Sequence, residues 1–251
     1  MRRFDWPAAT RLLALLVTAF FVAGAVLQSL LAFDVLGAAP PDQEDFIDTI
    51  VAFFAWEQTR WPIDFAATSL FGLGFLALGG LGALLARLER TEEPRRVLTT
   101  AAFVGAAVIG AVAQLLWLGA KPVATSAQYC DCGLRAEEIM SRLMALNIVS
   151  SVTLWIVIGA TVLLAVAAVL VAPIGRAAGM PVGWVWLTYA LAVATLISDA
   201  LGVLRAYPFD QLSLLLVAGV MIPLWALWLA IRADSLVPAG ATPVIADEGI
   251  T

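Results

Sequence analysis

Histidine is absent from this 251-residue chain, lysine occurs once (Lys121), and cysteine occurs twice (Cys130 and Cys132). Each scarcity removes a class of chemistry. Without histidine there is no His-ligated haem, no histidine-bound zinc and no His-based catalytic triad. A Schiff base at mid-membrane depth would need a lysine there, and the single one sits at the end of an apolar run. No Gly-x-x-x-x-Gly-Lys loop is present to hold nucleotide phosphates, and nothing is basic and aromatic enough to bind nucleic acid. Charge is scarce too, at 13% of residues, where a soluble domain carries about 25%.

What fills the chain instead is apolar. Hydrophobic residues make up 62%, more than one core of this length can hide from water. Six stretches reach the roughly 20 residues that a ~30 Å hydrocarbon core requires of a helix. They lie near residues 12–33, 65–86, 97–118, 148–172, 184–204 and 212–231. A transmembrane barrel would show short alternating segments, and runs such as Leu163–Val171 do not alternate. The expected fold is all-α: a polytopic bundle of six transmembrane helices over residues 1–232, followed by a disordered cytoplasmic tail at 233–251. The first run is long for a signal peptide's apolar region, so an uncleaved first helix is expected despite the cleavage-like Ala23-Gly24-Ala25.

The arginines orient the bundle. With both termini in the cytoplasm, the inner flanks carry Arg2, Arg3, Arg11, Arg87, Arg90, Arg95, Arg96, Arg176 and Arg232. The outer flanks carry Arg60, Lys121, Arg135, Arg142 and Arg205. Nine cations against five follow the positive-inside rule and point to the plasma membrane of a bacterium. Tryptophans fit the two interfaces, with Trp56, Trp61 and Trp117 at the outer boundary and Trp6, Trp184, Trp186 and Trp228 near the inner one.

Two outer loops are long, 34–64 and 119–147, and each predicts an amphipathic surface helix. In the first, Asp42 is placed as N-cap. Phe46, Ile47, Ile50, Phe53 and Phe54 then recur at helical spacing opposite Asp45, Asp48, Thr49 and Gln58. This is either a lid packed on the bundle or an acidic vestibule that gathers cations. In the second loop, the helix after Cys132 can continue into the fourth span, because no proline intervenes. Trp61-Pro62-Ile63-Asp64 and Tyr207-Pro208-Phe209-Asp210 are read as two capped helix starts.

Few side chains are left for function. Asp199 is the one ionisable group expected well inside a span, where a charge is costly. It extends a small, polar stripe of Thr188, Ala192, Thr195, Asp199 and Gly202. The residue is either a proton-relay acid or cation ligand, or an interhelical hydrogen-bond partner of Gln28, Gln114 or Asn147. Small residues recur at Ala102, Ala106 and Gly110, ending at Gln114, and again at Thr68, Gly72, Gly79 and Ala83; both stripes read as packing seams. Pro223 is expected to kink the sixth span and free a carbonyl near Gly219. Cys130 and Cys132, on the outer side, allow a disulfide, free thiols or a redox role.

The inner loop Gly175-Arg176-Ala177-Ala178-Gly179-Met180-Pro181-Val182-Gly183-Trp184 and the closing Ile222-Pro223-Leu224-Trp225-Ala226-Leu227-Trp228-Leu229 resemble the bacterial membrane family called domain of unknown function 4386. The resemblance implies a six-helix fold and no activity. From the residues themselves, the leading expectation is a non-enzymatic accessory or scaffold subunit without cofactor or metal. Its partners would be the lipid bilayer and a second copy or another membrane protein. A small transporter or channel using Asp199 is the next reading, and a redox-responsive sensor using Cys130 and Cys132 the third.

Overall fold

The computed structural model describes residues 5–40, 44–89, 93–125 and 136–236. Among them every regular element is helical. They are α1 (Trp6–Ala32), α2 (Phe46–Ala86), α3 (Glu93–Thr125), α4 (Ala136–Ala177), α5 (Val182–Val203), α6 (Phe209–Leu216) and α7 (Ile222–Arg232). A π-helical turn, Val217–Met221, joins α6 to α7 into one rod, and a 3-10 turn follows at Ala233–Ser235. Counting that rod once gives six helices long and apolar enough to cross a membrane.

Consecutive helices pack side by side, and α7 returns to α1, so the six rods close a ring. An even number of crossings brings the two described ends together. Arg11 pairs with Asp234 at 2.5 Å, and its Nε–H donates to the Ala230 carbonyl at 3.5 Å. We call this the terminal end and the opposite one the distal end.

On α3 small side chains face inward and large ones outward. On the middle of α3 the buried positions are small, Ala102, Ala106, Ala107, Gly110, Ala111 and Ala113, with Phe103 the exception, whereas Val97, Val104, Val108, Val112 and Leu115 are exposed. Large side chains facing outward suit lipid, and small ones facing inward let helix backbones approach. The two small-residue stripes touch at Gly72 and Gln114, and the closest approaches of α2 and α3 fall beside them. A methyl group on Gly79 would collide with Ala107, and one on Gly82 with the Phe103 ring.

The helices run further than hydropathy predicts. At 41 and 42 residues, α2 and α4 are each about 60 Å long, twice the ~30 Å core of a bilayer. The first outer-loop segment is therefore not a separate surface helix but a distal extension of α2, and the second runs straight into α4, as its lack of proline predicts. Their apolar faces, with the end of α3, form a second small core around Ile50, Phe54, Ala124, Ile139 and Leu146. The start of α2 is capped by Asp45, whose carboxylate accepts from the Ile47 amide at 2.6 Å; Asp42 lies outside the described residues. Pro62 is inside α2 and starts nothing, because the amphipathic segment before it already supplies a helix to continue. Pro208, by contrast, does precede a helix, and Asp210 sits in its first turn.

Trp184 also departs from its expected place in an interfacial belt. It is fully buried, stacked on Trp225, which in turn stacks on Phe103. The tight α4–α5 turn causes this: Gly179 takes φ 94°, and the Met180 amide reaches back to the Gly175 carbonyl at 2.9 Å. That closure, a Schellman-type cap, folds the start of α5 onto Gly175, where any side chain would strike the Trp184 ring.

Candidate functional site

A cavity of about 510 Å³ opens within the distal half of the ring, and all six rods line it. Its size falls in the usual range for small-molecule sites, about 300–1,000 Å³. The lining along α2 shows its character. Glu57, Arg60, Asp64, Thr68, Phe71 and Phe75 share one face, at the three- and four-residue steps of a helix. Down that face the chemistry changes from ionised to hydroxyl to aromatic. On α3 it runs from Lys121 through Trp117 to Gln114, on α1 from Gln28 to Phe21, and on the last rod from Gln211 to Leu214 and Ile222. The cavity is thus charged at its distal mouth and apolar at its floor.

The mouth is built around the single lysine. Lys121 Nζ lies 2.5 Å from Glu57 Oε2 and 2.5 Å from Asp64 Oδ2. Trp117 Nε1–H donates to the same Asp64 oxygen at 3.1 Å, and the Thr68 hydroxyl donates to the other at 3.3 Å. The side chains of Lys121, Asp64 and Glu57 retain only 9%, 9% and 16% exposure. Charges this dehydrated persist only when paired and hydrogen-bonded, and here each one is. Gln58 adds a tie between α2 and α3, its amide donating to the Thr125 carbonyl at 2.5 Å.

Arg60 occupies the other side of the mouth. Its guanidinium stacks over Trp56 at 4.0 Å, faces Asp34 at 3.6 Å and donates to the Leu31 carbonyl. Asp34 can turn toward it because its backbone is left-handed, with φ 51°. The Arg60 Nε–H remains buried with no acceptor among the described residues. The side-chain amides of Gln28, Gln114 and Gln211, all on the cavity wall, likewise make no hydrogen bond within the described residues.

The residues singled out in the sequence are divided by the structure. Gln28, Gln114 and Thr195 line the cavity; Asp199 does not. Its carboxylate accepts from the Thr161 hydroxyl at 2.7 Å. Because α5 ends at Val203, Asp199 stands about 6 Å from the distal end of its helix, not deep in the span. Asn147 is exposed on α4 and reaches none of the others. Cys130 and Cys132 lie outside the described residues. Thr195 spends its hydroxyl on the Leu191 carbonyl of its own helix.

The floor carries an irregularity that the proline announced only in part. Pro223 lacks the N–H that would bond Gly219. The chain answers not with a bare kink but with the π-helical turn Val217–Met221, closed by the Ile222 amide on the Val217 carbonyl. Val217, Ala218 and Ile222 face the cavity. Such single π turns occur often at functional sites.

The arrangement can hold an organic molecule. Among the described residues no group of three or more His, Cys, Asp or Glu side chains is placed to hold a metal ion. Fold and site together define a six-helix, membrane-type bundle with a mostly apolar cavity that carries an ion cluster toward the distal end. No family model, no curated protein and no solved structure matches the chain.

Proposed function

We propose that this protein is a non-enzymatic, multi-pass protein of the plasma membrane that binds a small molecule in its distal cavity, as a transporter or receptor does. The termini are cytoplasmic in this reading, and the cavity opens to the outside. One observation carries the proposal: the charged-to-apolar gradient down a cavity walled by all six rods. A packing flaw would be small and apolar, whereas this one ends in a buried ion cluster and three amides without protein partners. The same cavity raises ligand binding above the accessory-subunit reading that composition favours. Orientation is supported by Arg87, Arg95, Arg96, Arg176 and Arg232, which fall at the terminal end.

Cysteine accessibility tests this. In a background with Cys130 and Cys132 replaced by serine, Gln211→Cys at the mouth and Gln114→Cys deeper in should both react with a small, membrane-impermeant thiol reagent added to intact cells. Reaction should be lost when a bulky reagent has first been attached at Gln211→Cys. A Gln114→Cys protein that labels only after denaturation would show that the cavity is closed and dry, and would defeat the reading.

A further inference from the structure

We infer that the ligand of this cavity is an uncharged amphiphile, with a head of carbonyl and hydroxyl groups and a single apolar chain. The inference rests on the cavity-binding reading above and adds the ligand's chemistry to it.

Among the side chains that line the cavity the charges cancel, with the half-exposed Asp34 a further carboxylate off its wall. Two carboxylates, Glu57 and Asp64, stand against two cations, Lys121 and Arg60, and Arg60 also faces Asp34. An anionic head at Lys121 would have to displace a carboxylate held at 2.5 Å, leaving that carboxylate dehydrated and unpaired, and one at Arg60 would stand beside Asp34. A cationic head would have to compete with Lys121 for the same oxygens. Breaking a buried pair in this way is strongly unfavourable, so the site selects against ligands of either sign.

The groups that are not committed are neutral or single donors. Gln28, Gln114 and Gln211 each present both an amide N–H and a carbonyl, and none is used by a protein partner within the described residues. The buried Arg60 Nε–H is one further donor without an acceptor. Such a set, able to donate and accept around one head, matches hydroxyl and carbonyl oxygens. The three glutamines are half-buried, and a bound head that covers one without bonding it would leave the amide unpaired, at a cost greater than a good hydrogen bond contributes.

Around and below Gln114 the wall is carbon apart from the Thr161 and Thr195 hydroxyls, which are already spent on the Asp199 carboxylate and the Leu191 carbonyl. Phe21, Phe71 and Phe75 meet in tilted and edge-on ring contacts at 5.7–5.9 Å, facing Leu164 and Ile222 across the floor. This accepts a chain and gives a second polar head nothing to bond. The ligand therefore enters tail first, with its head held between Gln28 and Gln211 and its inner end reaching Gln114.

Calorimetric titration of the full-length protein in lipid nanodiscs decides the matter, with heats from empty nanodiscs subtracted. The probes share an eight-carbon chain and differ in head: 1-octanoylglycerol, octanoate and octylamine. Octanoylglycerol should bind saturably and at least tenfold more tightly than either charged probe. Gln28→Leu and Gln211→Leu, two mild variants at different rods, should each weaken it about tenfold or less. A charged probe that binds as tightly or more tightly overturns the uncharged class; if Gln114→Trp or Gln211→Trp also blocks that probe, the cavity-binding reading still stands. Octanoylglycerol affinity unchanged in both leucine variants overturns the role of the amides. No saturable binding by any probe, or binding that survives both tryptophan variants, overturns the inference and the binding reading together.

Discussion

At the terminal end Phe103, Trp184 and Trp225 stack into a solid plug, while at the distal end the same rods stand apart around a cavity. The difference lies in which residues meet at each level. At both levels rings face glycines, Trp184 against Gly175 and Phe103 against Gly82 near the terminal end, Phe75 against Gly110 and Phe21 against Gly74 beside the cavity. Only near the terminal end do two indoles and a phenyl also stack on one another. In the distal half Lys121 reaches between two carboxylates on α2, and polar side chains line the wall instead of interdigitating. A helix bundle in lipid lacks the hydrophobic drive that makes soluble cores collapse. It can therefore hold one end by close packing and the other by a few polar ties, leaving a cavity between them.

The plug should be the more fragile half. Trp225 is fully buried, and its indole N–H donates to the Thr188 hydroxyl at 2.9 Å. Trp225→Ala should cost about 3–5 kcal/mol, read as a lowered unfolding midpoint in mixed micelles. A loss below about 1 kcal/mol would mean that the two ends do not differ as described.

At the distal end the ties are electrostatic, and their signature is different. Lys121→Met leaves two dehydrated carboxylates side by side and should cost about 3 kcal/mol. Adding Glu57→Gln and Asp64→Asn to the same chain should recover most of that loss, since removing a whole buried ion cluster is far less costly than breaking it. Failure of the triple variant to recover would place the contribution of Lys121 in packing, not charge.

Gly82→Ala tests the seam between α2 and α3, where the added methyl meets the Phe103 ring. Overpacking of this kind costs about 1–3 kcal/mol. The equivalent change at Gly159, with nothing within 4 Å of the added methyl, should be neutral or slightly stabilising. Thermal unfolding of the pair in one detergent gives the comparison directly.

Much of this architecture is legible in the sequence, and what is hidden follows a rule. Six spans are readable because length and apolar content are properties of one segment at a time. The seam of Gly72 against Gln114 is half readable, since each stripe has its own period, but the register is set only by packing, which also brings Gly79 onto Ala107, outside the stripe. Trp184 is misread because hydropathy knows its distance from the helix end and not the turn at Gly179 that folds it inward. The cavity mouth is hidden for a related reason. Glu57, Arg60 and Asp64 look like an acidic loop beside a span, and Lys121 like a topology signal, until α2 and α3 are laid together. One local sign was available: Glu57, Arg60, Asp64 and Thr68 fall at helical spacing, so a helix there presents its charges on one face.

Asp199 shows the converse, a residue conspicuous in the sequence that the structure makes ordinary. Its prominence came from counting it as deep, and the end of α5 at Val203 removes that premise. Asp199→Asn keeps a carbonyl oxygen for the Thr161 hydroxyl, now at 2.7 Å, so the hydrogen bond survives the loss of charge. The change should shift stability by less than about 1 kcal/mol and leave octanoylglycerol affinity within twofold, whereas Gln28→Leu does not. If Asp199→Asn instead abolishes binding, or any uptake dependent on it, the centre of function lies between α4 and α5 and the distal cavity is only its antechamber.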